Sequence, residues 1–186
     1  IGLSAKPNIR GGVDDEVLIF LDGVELLNPF HLKDFQSLIS GINPAVIGSV
    51  DIYTGGFSAR YGGKLSGVID MQAEPNNELF NHQLSLSLYS MSLKLTGSTD
   101  NDQLNWIVAG RRSNLDETLD QVNSSIGSPE FNDIFTKWSW EVNQKTELSA
   151  GFISLKDNIT LRSIENNQGE SASSVYDSEY AWLKAR

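Results

Sequence analysis

Cysteine is absent from the 186 residues, so the chain has neither a disulfide framework nor a thiolate metal site, and its redox compartment stays open. Histidine is nearly absent as well. His31 and His82 stand far apart, which leaves no imidazole-built metal centre to expect. No apolar run approaches the roughly 18 residues of a spanning helix; a spanning barrel stays possible, because its strands of about 9–11 residues alternate polar and apolar. Positive charge is scarce, with 14 Lys and Arg against 24 Asp and Glu and a net charge of -10. That balance makes nucleic acid and an anionic membrane surface poor partners and a neutral or cationic ligand an easier one. Ile1 to Ala5 lacks a basic stretch leading into an apolar one, so any signal peptide is expected to be removed or upstream and the chain to be an internal piece. Catalytic motifs are missing too. Gly63-Lys64 has no Ser or Thr after the lysine and no upstream glycine of a phosphate loop, no nucleophile elbow occurs, and adjacent Asp14 and Asp15 are no acid–base pair. The expectation is a protein that is not an enzyme and uses no cofactor or metal.

What is present falls into two halves. Up to about Glu74, glycines interleave with short β-branched runs such as Val17 to Leu21 and Val50 to Tyr53, the pattern of a compact domain of short strands and tight turns. Asp22-Gly23 between two apolar runs predicts a two-residue hairpin. Phe35, Leu38, Ile39 and Ile42 at helical spacing predict a short helix ending at Gly41 and Pro44.

From about His82 the chain alternates. Leu84, Leu86 and Leu88 share one parity and Met91, Leu93 and Leu95 the other, which predicts a tight hairpin near Tyr89-Ser90 and a return strand to about Ser98. Further strands are expected over Gln103 to Leu115, Ile134 to Val142, Glu147 to Leu155 and Ser178 to Arg186, six in all. Short turns at Thr99 to Asp102 and Asn143 to Thr146 alternate with long polar segments, Asp116 to Asp133 and Asp157 to Asp177, as in outer-membrane barrels. Strand alternation alone fits a soluble sandwich equally well; the loop asymmetry favours the barrel.

The first half also carries a string of motifs. Ile9-Arg10-Gly11-Gly12 resembles the IRG motif of the TonB-dependent receptor plug, Leu21-Asp22-Gly23-Val24 its DG hairpin, and Ile52 to Gly63 its glycine-rich YG segment. Gly67 to Met71 resembles the strand that leaves the plug for the barrel. The resemblance implies an α+β plug domain, its C-terminal portion over 1–76, followed over 77–186 by antiparallel transmembrane β-barrel strands. Six of the roughly 22 strands of a plugged barrel make it incomplete. It also implies the outer membrane of a Gram-negative bacterium, with active uptake of a siderophore, cobalamin, saccharide or peptide. The implied partners are the TonB energy-transducing complex, through a contact segment upstream of this chain, a nutrient ligand and outer-membrane lipid. Tyr53 to Gly62 lacks the plug ending typical of large glycan importers, which lowers that option.

Residue roles follow from the same resemblance. Arg10 would anchor plug to barrel by pairing with wall glutamates, although Thr54-Gly55 replaces the RGP arginine of many relatives. Asp14, Asp15 and Glu16 after the IRG motif, and Asn28, Phe30 and His31 after the DG hairpin, would face the ligand. Tight packing inside a lumen explains turn glycines at Gly11, Gly12, Gly23, Gly55, Gly56, Gly62 and Gly63. Leu84, Leu86, Leu88, Trp106, Trp138 and Trp140 would face lipid, indoles favouring the interface. A soluble β-rich, carbohydrate-binding-like module is the rival, and an outer-membrane protein with a plug-like domain but no transport role is a third reading.

Overall fold

The computed structural model describes residues 5–11, 16–33, 37–56, 61, 66–73, 78–99, 103–115, 128–162 and 171–186. The chain divides into two compact units, Ile1–Glu74 and Pro75–Arg186.

In the first unit β1 (Val17–Leu21), β2 (Val24–Glu25), β3 (Phe30–His31), β4 (Ile39–Ser40), β5 (Ile47–Tyr53) and β6 (Gly67–Ala73) follow in chain order. A four-stranded sheet has the order β2-β1-β6-β5, and β3 pairs with β4. The β1–β2 connection is the expected hairpin: Asp22 and Gly23 have φ of 50° and 71°, the left-handed pair that matches strand twist. The Asp22 carboxylate also accepts from the Ala73 amide at 3.1 Å, closing the end of β6. β1 lies parallel to β6, from Val17 beside Gly67 to Leu21 beside Met71. Val17, Leu18, Ile19 and Leu21 are all buried, as both faces of a central parallel strand must be.

Tyr61 organises one face of this sheet. It packs with Leu18 and Val68 against Phe20 and Tyr53, with ring centroids 5.3 Å and 5.7 Å from those two aromatics. Its hydroxyl donates to Asp70 Oδ2 at 2.6 Å, while Gln72 Nε2 donates to the other carboxylate oxygen at 3.1 Å. Tyr61→Phe therefore removes a side-chain donor to a buried carboxylate. A loss of about 1 kcal/mol is expected in urea titrations of the complete protein, the low end for a buried acceptor that keeps Gln72 as a donor.

The helix expected over Phe35 to Ile42 is not formed. Phe35 and Gln36 lie outside the described residues, but Ser37 has φ 53° and donates its amide to Leu32 O at 3.0 Å, which turns the chain. Ile39 then pairs with His31 and Ser40 with Phe30, and Gly41 donates to Pro29 O at 2.9 Å. Apolar spacing matched a helix, yet Leu38 is exposed while Ile42 is buried, so the residues do not share a face.

The second unit is a six-stranded antiparallel meander of β7 (Phe80–Leu86), β8 (Ser90–Ser98), β9 (Leu104–Ser113), β10 (Ser128–Asn143), β11 (Thr146–Arg162) and β12 (Ser171–Ala185). The predicted parity flip is real. Ser87 turns the chain, its amide donating to Ser90 O at 2.9 Å and its Oγ accepting from the Ser90 amide at 3.0 Å. Strands β10, β11 and β12 run further than their alternation indicates. Much of the polar segment Asp157 to Asp177 is ladder rather than loop, with Asn158 beside Val175 and Thr160 beside Ser173.

Candidate functional site

Register sorts the strand residues of the second unit onto two faces. Leu84 pairs with Leu93, Leu93 with Gly110, Gly110 with Ile134 and Ile134 with Ser154, and side chains two residues apart along each strand share a face. One face therefore carries Leu84, Leu86, Met91, Leu93, Leu104, Trp106, Val108, Ile134, Trp138, Trp140, Val142, Phe152 and Leu183. Leu84 is 61% exposed, Leu86 72% and Leu183 79%, a continuous apolar surface that no described residue covers. Leu88, 82% exposed, sits in the turn after β7 rather than on the ladder.

Aromatics gather at the short-turn end of that face. Trp106 and Trp138 are direct cross-strand partners with rings stacked at 6.0 Å, and Phe80 approaches Trp106 at 6.3 Å. Gly97 lies opposite Trp106, and a Cβ there would stand 2.7 Å from the indole; the missing side chain is what lets the ring lie flat across β8.

The edge of the apolar face nearer the long connections is oblique to the strands' hydrogen-bonded rows. On β7 and β8 it reaches Leu86 and Met91, in the row of Arg112, whereas on β11 and β12 it stops at Phe152 and Ala181, in the row of Val108. A four-residue descent (112 to 108) over five strand spacings is about 13 Å in 24 Å, a slope of roughly 30°. Strands of a membrane barrel tilt by about 35–45°, so a level hydrocarbon boundary would cut the sheet along such a slope.

The opposite face is mixed and tightly filled. Arg111 and Asp133 face each other across β9 and β10, joined Nε to Oδ2 at 2.6 Å with side chains only 5% and 3% exposed. The guanidinium lies over the Phe131 ring at 5.2 Å, and the Phe131 amide donates to Ser113 Oγ at 2.9 Å. Sequence reading missed this pair. The charges are present, but only the register across the β9–β10 connection brings them together.

The residues singled out in the first unit fall in different settings. Arg10, itself exposed with φ 54°, reaches over Gly55, where a Cβ would stand 3.1 Å from Nη1. Ile9 covers Gly67 in the same way, its Cγ2 3.1 Å from that Cβ position. Gly11, Gly23 and Gly56 hold left-handed φ of 72°, 71° and 67°. Glu16 accepts a short hydrogen bond from Ser66 Oγ, which ties the start of β1 to that of β6. Asn28 is exposed, but Phe30 and His31, expected to face a ligand, are turned inward and buried, His31 completely. Their pairing with β4 is the physical reason. Asp14, Asp15, Gly12, Gly62 and Gly63 lie outside the described residues.

Residues 2–68 match the family model of the TonB-dependent Receptor Plug Domain. No curated protein sequence gives a significant match. Among solved structures, a mutant of the ferric enterobactin receptor PfeA from Pseudomonas aeruginosa, in complex with enterobactin, is similar at 16% identity and TM-score 0.61, over 96% of this chain and 32% of that one. The siderophore receptor PirA from the same organism is similar at 17% identity and TM-score 0.49, over 94% and 34%. The chain thus spans about a third of the length of these receptors. A mixed sheet followed by an antiparallel meander is the fold that this chain shares with the enterobactin receptor structure. More narrowly, residues 2–68 match the TonB-dependent receptor plug, and the chain as a whole is similar in fold to a TonB-dependent receptor over about a third of its length. Family and neighbours are receptors, not enzymes.

Proposed function

We propose that the chain is the plug and first barrel strands of a transporter that takes up a scarce nutrient across the outer membrane, powered by TonB, with the plug gating the lumen. One observation carries the reading: a plug-family sequence runs directly into a sheet whose exposed apolar face ends along a slope suited to tilted membrane strands. A soluble binding module would leave that apolar surface in water at a cost in solubility. In this reading Leu84, Leu86, Trp106, Trp138 and Trp140 meet lipid, and Arg10 joins plug to wall. Asn28 keeps a ligand-facing role, as do Asp14 and Asp15, whereas Phe30 and His31 support the loop from within. A ferric siderophore is the first nutrient class to test, ahead of cobalamin, saccharide and peptide, because the solved neighbours are siderophore receptors.

The test is uptake of labelled ferric siderophore by cells expressing the complete gene product, with and without TonB. Accumulation that collapses at least tenfold when TonB is deleted is expected. Binding without accumulation in either strain, repeated for the other three nutrient classes, would leave a receptor with no transport role and overturn the proposal.

A further inference from the structure

Just beyond the apolar face, on its long-connection side, a row of hydrogen-bond donors crosses three neighbouring strands. Arg112 of β9 pairs with Asn132 of β10, and Asn132 with Lys156 of β11, so the three side chains stand on the same face as the tryptophans, one strand spacing apart. Arg112 is exposed, and among the described residues its guanidinium has no ion pair or hydrogen bond. Lys156 is partly engaged by Asp177, its next partner along the row, at 4.0 Å with both side chains more than half exposed.

Such a row is out of place on an ordinary protein surface facing lipid, and its position suggests its use. In the row of Arg112, Asn132 lies ten residues from Val142 along β10, past Trp140 and Trp138, about 33 Å of strand, or roughly 25 Å of height at a barrel tilt. Aromatic rings therefore mark one boundary of the apolar face and cations the other. A long cationic side chain at a hydrocarbon boundary lays its stem on the apolar surface and its head among the headgroups. The net charge of -10 does not weaken this, because charges more than about 10 Å away are largely screened at ordinary salt.

We infer that Arg112, Asn132 and Lys156 hold the phosphate of a lipid headgroup in the membrane leaflet on the long-connection side. The inference rests on the barrel reading above. Arg112 supplies a forked donor that matches two phosphate oxygens, Asn132 contributes an amide donor beside it, and Lys156 adds a mobile positive charge. Glu130 on β10 and Asp177 and Glu179 on β12 share this face and limit the site, so its centre is Arg112, on the side toward β8.

The experiment uses the complete protein in phosphatidylcholine nanodiscs containing either a bisphosphorylated glycolipid or its enzymatically dephosphorylated form, with retained lipid counted by native mass spectrometry. The wild type is expected to retain the phosphorylated form about tenfold better, the scale of one charge-assisted hydrogen-bonded contact. Arg112→Ala should lose most of that preference and Arg112→Lys should keep part of it, with folding of each variant checked by heat-modifiable mobility. Equal retention of the two lipids by the wild type, or an unchanged preference in Arg112→Ala, overturns the inference. Displacement of the lipid by millimolar inorganic phosphate would make this a free-phosphate site and also overturn it. A spin label at Ile134→Cys separates this failure from failure of the barrel reading. Strong relaxation by oxygen is expected there, whereas relaxation by a water-soluble nickel complex would show that the apolar face does not meet lipid at all.

Discussion

Asp133→Ala is expected to destabilise the six-stranded sheet by about 3–5 kcal/mol, because it takes away a buried carboxylate joined to the Arg111 guanidinium at 2.6 Å. An arginine keeps its charge, so the site has no neutral form in which to relax. Phe131 lies against the cation at 5.2 Å, but ring attraction replaces only a fraction of a lost ion pair. The double variant Arg111→Met with Asp133→Leu should recover part of the loss, since exchanging a buried pair for apolar residues of similar volume is often neutral. Both are measured by urea titration of the complete protein in lipid vesicles, followed by tryptophan fluorescence. A cost below about 1 kcal/mol would show that water reaches the pair and would overturn this account.

Gly67→Val is expected to cost the plug about 1–3 kcal/mol or more, because even a Cβ at that position overlaps Ile9 and two further methyl groups have no room. Gly67 starts β6 beside Val17, so the displaced partner is the Ile9-Arg10 segment rather than the sheet. Pairing the change with Ile9→Ala should restore a good part of the loss, a coupling that a double-mutant cycle measures directly. The readout is amide hydrogen exchange at residues 9–11 and 17–21 in the complete protein. Faster exchange confined to 9–11 is the expected result. Loss of protection throughout β1 would show that Gly67 supports the sheet itself.

How much of this was legible beforehand depended on whether a residue's role is local. Asp22-Gly23 declared its hairpin because the turn's dihedral demands are satisfied by the two residues themselves. The parity change between Leu86 and Met91 declared the β7–β8 turn because a strand cannot switch faces. Residues 37–42 misled because helical spacing and a bent chain with one β pair produce the same apolar pattern over so short a stretch. The far ends of β10 to β12 read as loops because charged and small polar residues outnumber scattered apolar ones such as Phe131 and Ile159, so the alternation is too sparse to mark a strand although pairing continues. For Phe30 and His31, position in a motif points to a ligand-facing loop but says nothing about which way a side chain turns, and both are buried. Arg111 and Asp133 could be found only from the register.

The parallel pairing of β1 with β6 has a mechanical meaning. The chain enters β1 at Val17 and leaves β6 at Ala73, diagonally opposite corners of the pair. A pull upstream of Val17, resisted downstream of Ala73, would slide the two strands along each other rather than unzip them, so the bonds between Val17–Leu21 and Gly67–Met71 share the tension. The stretch before Val17, whose links to this sheet include Ile9 on Gly67 and Arg10 on Gly55, would come away first.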